Sequence, residues 1–118
     1  MAKIGIVVLA DTETHGDLGR VVNALITAKE ATEAGDEIRL VFDGAGTKWI
    51  GELAQRTHRS HSLYRAVKDS ITGACRYCST AFGAKDAVET ERVPLLDEYE
   101  DHPSLRKLVA DGFEVLVF

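Results

Sequence analysis

The run Ile4-Gly5-Ile6-Val7-Val8-Leu9-Ala10 constrains the fold more than any other stretch of the chain. It is almost continuously apolar and rich in β-branched residues, as in a strand covered on both faces, and such strands sit in the middle of parallel sheets. A parallel strand cannot be followed by a hairpin and needs a crossover. The crossover is visible. After the polar stretch from Asp11 to Asp17, apolar residues recur at Leu18, Val21, Val22, Leu25, Ile26 and Ala28 with helical spacing, and Gly35 stands where that helix should stop. Ile38-Arg39-Leu40-Val41-Phe42 then predicts a second strand, closed by the turn-prone Asp43-Gly44-Ala45-Gly46.

The middle of the chain is less strongly patterned. Thr47 to Gln55 and Ser62 to Lys68 predict two short helices joined by the polar stretch Arg56 to His61. Ser70-Ile71-Thr72-Gly73-Ala74 predicts a third strand that feeds a helix ending near Gly83. Ala87-Val88 and Val93-Pro94-Leu95-Leu96 suggest a turn and another strand. His102 to Asp111 reads as a helix with Pro103 and Ser104 in its first turn, and Phe113 to Phe118 as a last strand. Strands alternating with helices imply one three-layer α/β domain over residues 1–118, with a mainly parallel sheet of about five strands flanked by helices. Ligands of such sheets bind beyond the carboxyl ends of the strands. The loops at Asp11, Asp43 and Cys75 would open on that edge.

With 118 residues and 45% hydrophobic content, the chain can bury one continuous core. A formal net charge of −5 with scattered basic residues gives no footprint for nucleic acid. No segment reaches the roughly 20 apolar residues that span a bilayer, and the apolar run at the N-terminus is too short for a signal peptide. The expectation is a cytoplasmic protein.

Two cysteines, the only ones in the chain, lie at the predicted strand-to-helix junction in Cys75-Arg76-Tyr77-Cys78. In a reducing cytosol a close pair points to catalytic, redox or metal chemistry rather than a structural staple. Cys75 is expected at the positive end of a helix, which favours thiolate. Cys78 lies one turn on, able to assist or to resolve Cys75 as a disulfide. Arg76 is a candidate to stabilise the anion, and His15, after the first strand, a candidate proton acceptor. Against these stand plainer readings: small buried hydrophobes for the thiols, solvated surface groups for Arg76 and His15. His58 and His61 with the two thiols supply the composition of a zinc site, but their spacing is tighter than usual and no metal is expected. Gly16-Asp17-Leu18-Gly19 is not a dinucleotide fingerprint, and Asp17 reads as a cap of the first helix. Trp49, Tyr64, Phe82 and Phe113 read as core, and the acidic run Asp97 to Asp101 as a solvated loop.

The opening strand with Thr14-His15-Gly16-Asp17-Leu18-Gly19-Arg20, the strand ending Val41-Phe42-Asp43-Gly44, and Gly73-Ala74-Cys75-Arg76-Tyr77-Cys78 with Gly83 and Val93-Pro94-Leu95 beyond it resemble the DsrE/DsrF-like family of small sulfur-relay proteins. The resemblance covers nearly the whole chain and rests on order and spacing. It implies a compact α/β fold, assembly into oligomers, and a cysteine after the third strand that carries sulfur as a persulfide. Cys75, eight residues before Gly83, matches that cysteine, and Cys78 matches the second cysteine of many relatives. The function it implies is a sulfur carrier or sulfurtransferase that exchanges persulfide sulfur with donor and acceptor proteins and needs no cofactor. A non-enzymatic ligand-binding or assembly module with inert cysteines, and a dithiol redox protein, are the alternatives.

Overall fold

A computed structural model describes residues 1–118. Five strands form one sheet: β1 (Lys3–Val8), β2 (Glu37–Phe42), β3 (Ile71–Cys75), β4 (Leu95–Leu96) and β5 (Glu114–Val117), in the order β4-β3-β2-β1-β5. Every pairing is parallel. The apolar opening run is the central strand that its composition demands, with β2 on one side and β5 on the other. Six helices connect the strands: α1 (His15–Glu33), α2 (Trp49–Ala54), α3 (His61–Val67), α4 (Arg76–Ala81), α5 (Lys85–Thr90) and α6 (Leu105–Ala110). The three-layer α/β architecture expected from the sequence is present. No helix is long and apolar enough to cross a membrane.

The layers are unequal. On one face, alternate strand residues Ile6, Val8, Leu40, Phe42 and Ala74 pack with Val21 and Leu25 of α1, Ile50 and Leu53 of α2, Tyr64 of α3 and Val88 of α5 into one buried cluster. Each fully buried aliphatic or aromatic side chain of this kind contributes about 1.5–3 kcal/mol relative to exposure. The other face carries α6 alone, none of whose residues is buried. Beneath it Val7, Val41 and Phe113 are nevertheless shielded from solvent.

Local chemistry explains the boundaries. Thr14 caps α1 by accepting the Asp17 N–H at 3.1 Å, so the cap is Thr14 rather than Asp17. Gly35 ends the helix region with a φ of 81°. Asp43-Gly44-Ala45-Gly46 is not a simple turn: Asp43 caps a 3₁₀ segment, Gly44–Lys48, which leads into α2. Gly46 is required there because a Cβ would stand 2.1 Å from the Val8 carbonyl oxygen. The buried Trp49 donates from Nε1 to the Ala10 carbonyl at 2.9 Å and fastens this segment to the loop after β1.

Three expectations need correction. Ala87 and Val88 lie in helix α5, and β4 is reduced to Leu95–Leu96. The last helix begins at Leu105, with Ser104 as its cap accepting from the Lys107 N–H at 3.1 Å, so His102 and Pro103 lie in the preceding loop. Phe82 is 44% exposed rather than core.

Candidate functional site

A β-bulge sets the direction of Cys75. Leu40 pairs with Ile71 but Val41 pairs with Gly73, so Thr72 is an extra residue in β3. Leu40 donates its N–H instead to the Thr72 hydroxyl at 3.1 Å. The alternation of side chains therefore shifts by one: Ile71 and Ala74 both pack with the large core cluster, and Cys75 leaves the sheet on the opposite side. There it is fully buried, while Cys78 in the first turn of α4 is half-buried.

Around the thiols the fold gathers two groups from other elements. Asp43 follows β2, and His102 comes from the loop between β4 and α6. One ligand atom from each of Asp43, Cys75, Cys78 and His102 lies within 4.8 Å of all the others. The Cys75 Sγ is 3.2 Å from His102 Nδ1 and accepts the Cys78 backbone N–H at 3.3 Å. His102 is positioned by a tight reversal of the chain. Tyr99 and His102 exchange backbone hydrogen bonds of 2.8 and 2.9 Å, and Glu100 and Asp101 between them have φ of 47° and 68°. Left-handed backbone at both central residues is the geometry of a type I′ turn, which ordinarily selects Asn or Gly. Two acidic residues hold it here because their surroundings over-determine it. The Asp101 carbonyl accepts the Tyr77 N–H at 3.0 Å, the Tyr77 ring lies 5.0 Å from that of His102, and Arg76 reaches Asp97 and Asp101 at 3.6 and 3.5 Å.

Electrostatically this is a site that keeps Cys75 neutral. Burial pushes its thiol from the ordinary 9.0 up to about 12, and the Asp43 carboxylate adds to the rise against the Cys78 N–H, which favours the anion. The expected activation by a helix end is outweighed by desolvation, and α4 is only six residues long.

The remaining candidates separate from the thiols. Arg76 is turned to the acidic loop, so its charge serves Asp97 and Asp101. His15 opens α1 and lines a shallow depression with Thr12, Trp49 and His58. Neither His58 nor His61 joins the cysteines. His58 stacks edgewise on Trp49 with ring centres 6.2 Å apart, and His61 Nδ1 donates to the Leu53 carbonyl at 2.8 Å. The zinc set composed from those two histidines is thereby ruled out; the imidazole at the thiols is His102, concealed in the sequence by an acidic run and an apparent helix start. Asp43 was visible only as turn chemistry. A concavity of about 550 Å³ at the opposite, amino-terminal end of β3 is lined by Arg65, Lys68, Glu91 and Arg92, away from the thiols.

No family model matches the chain. It is 26% identical over 96 residues to an uncharacterized protein of Methanocaldococcus jannaschii, covering 81% of this chain and 78% of that one. In three dimensions it is similar to a conserved protein of unknown function from Bacteroides thetaiotaomicron, with a TM-score of 0.63 and 15% identity over 97% of this chain and 94% of the other. That likeness shows a shared fold.

Proposed function

We propose that this protein is a cytoplasmic sulfur carrier of the DsrE/DsrF-like type, in which Cys78 takes up the sulfur and Cys75 stands beneath it. The observation that carries this reading is the unequal exposure of two adjacent thiols: Cys78 is half-buried, and Cys75 is sealed. The nucleophile expected at Cys75 is therefore moved to Cys78, the less buried of the two residues.

Cys78 gives up its proton to solvent and its thiolate attacks the outer sulfur of a donor persulfide, R–S–SH. The donor's S–S bond breaks, R–S⁻ leaves and is protonated, and the sulfur remains as Cys78–S–S⁻. An acceptor thiolate then attacks the terminal sulfur and Cys78 departs as thiolate. No net oxidation occurs. Cys75, held protonated by burial, is a poor nucleophile and does not expel the sulfur as hydrosulfide by closing a disulfide. Assembly with further copies belongs to the same proposal.

The test is to load the reduced, chelator-treated protein from a small-molecule persulfide, cap it by alkylation and map it after trypsin. Cleavage at Arg76 separates the two cysteines. One added sulfur on the Tyr77–Lys85 peptide, retained in Cys75→Ser and absent in Cys78→Ser, is expected. Sulfur confined to the Cys75 peptide would reverse the assignment, and unmodified thiols would favour an inert binding or assembly module.

A further inference from the structure

We infer that Asp43, Cys75, Cys78 and His102 form a four-coordinate site for a zinc-class divalent cation. The inference stands on donor geometry and does not depend on the sulfur-carrier reading. Three elements of the sheet edge contribute: the end of β2, the junction of β3 with α4, and the loop after β4. Two thiolates, an imidazole and a carboxylate are a donor set that zinc accepts, whereas magnesium and calcium prefer oxygen alone. Tetrahedral zinc with bonds of about 2.0–2.3 Å separates its ligands by roughly 3.3–3.8 Å. Cys75 Sγ and His102 Nδ1, at 3.2 Å, stand just inside the lower end of that separation and need only open slightly, and the widest pair, at no more than 4.8 Å, closes to it by side-chain rotation of about 1 Å.

The supporting shell is built as well. Asp43 Oδ1 accepts the Gly44 N–H at 2.8 Å, which fixes the carboxylate and leaves its second oxygen free. The Cys78 N–H points at Cys75 Sγ, and the Tyr77 ring packs tilted against the imidazole with ring centres 5.0 Å apart. Charge points the same way. Asp43 has no ion pair, since the nearby cations are engaged elsewhere: Arg76 with Asp97 and Asp101, Lys48 with Asp11 and Glu13. A half-buried carboxylate beside two thiols and an imidazole lacks a counter-charge that a cation supplies. On binding, each thiol surrenders its proton to solvent and both sulfurs become ligands, so the loaded protein cannot take up persulfide sulfur.

The test uses the full chain, reduced and freed of metal by chelation. Zn²⁺ is titrated against a chromophoric chelator, and Co²⁺ serves as a spectroscopic substitute. The expected result is one metal per chain, with a thiolate-to-cobalt charge-transfer band and the intense visible bands of tetrahedral cobalt. Asp43→Asn and His102→Ala, both at partly exposed positions, should each weaken Zn²⁺ binding by more than about tenfold. A His58→Ala/His61→Ala double variant should bind as the parent does, with circular dichroism confirming that all variants fold. Absence of stoichiometric binding, octahedral cobalt spectra without the thiolate band, or unchanged affinity in both Asp43→Asn and His102→Ala would overturn the site. Sulfur loading is measured separately on the metal-free protein, so either proposal can fail alone.

Discussion

Cys75 and Cys78 share a motif but not an environment. The bulge at Thr72 turns Cys75 inward, where desolvation raises its pKa to about 12, while Cys78 is less completely buried. In metal-free native protein near pH 8, alkylation should modify Cys78 at once and Cys75 only after unfolding, as read by mass spectrometry of the two tryptic peptides. Equal rates at both thiols would contradict the burial. The same shift links to stability. The folded state holds the Cys75 proton more tightly than the unfolded chain, so this contribution is complete below pH 9 and is lost as pH rises from 9 toward 12. Cys75→Ala should flatten that part of the profile. The cysteines were legible because two thiols in four residues are rare, and their partners were not. Asp43 is ordinary turn chemistry until the parallel pairing of β2 with β3 brings it alongside. His102 is a lone loop histidine until a left-handed pair, Glu100 and Asp101, swings it back over Cys75. Both depend on long-range placement that no local pattern encodes.

Elements were legible where a period repeats. The long α1 and the apolar strands β1 and β2 announce themselves, whereas α5 offers one buried residue, Val88, and two residues make up β4. Such short pieces exist because their neighbours hold them, and Gly73 shows how. A Cβ at this position would stand 2.6 Å from both the Leu96 Cγ and the Pro94 carbonyl oxygen. The Pro94 oxygen also accepts the Ala74 N–H at 2.9 Å, so it cannot retreat without giving up that bond. Gly73→Ala should therefore cost about 1–3 kcal/mol by urea unfolding. By displacing β4 and the loop behind it, the change should also make Cys75 reactive in the native state. Gly19, inside α1, is the contrasting case, since a Cβ there would meet nothing within 4 Å. Gly19→Ala should stabilise by about 0.5–1 kcal/mol and leave thiol reactivity unchanged. A stable Gly73→Ala protein with a shielded Cys75 would show that β4 is not what seals the site.

The whole molecule is lopsided, and that bears on assembly. Four helices bury one face of the sheet, while the other has a single short helix and ends in β5, an edge strand. On β5 and the adjoining α6, Leu116 is 41%, Val117 58% and Val109 65% exposed. Edge strands in monomers are usually blunted by charge, proline or cover, and β5 has only Glu114. Under the assembly proposed above, the occupant is a second copy of this chain, whose own β5 offers the same apolar residues in an isologous contact. A stable interface takes about 800 Å² per partner, roughly an eighth of the 6566 Å² that the isolated chain exposes. Light scattering across a concentration series should give a mass above the 12.9 kDa of one chain. Leu116→Glu with Val117→Lys should return it to one chain while preserving the far-ultraviolet spectrum. The thiols lie at the β3 and β4 side of the sheet, with β2 and β1 between them and this edge, so the dissociated variant should still load sulfur and bind metal. Loss of either along with assembly would mean that a neighbouring chain completes the site.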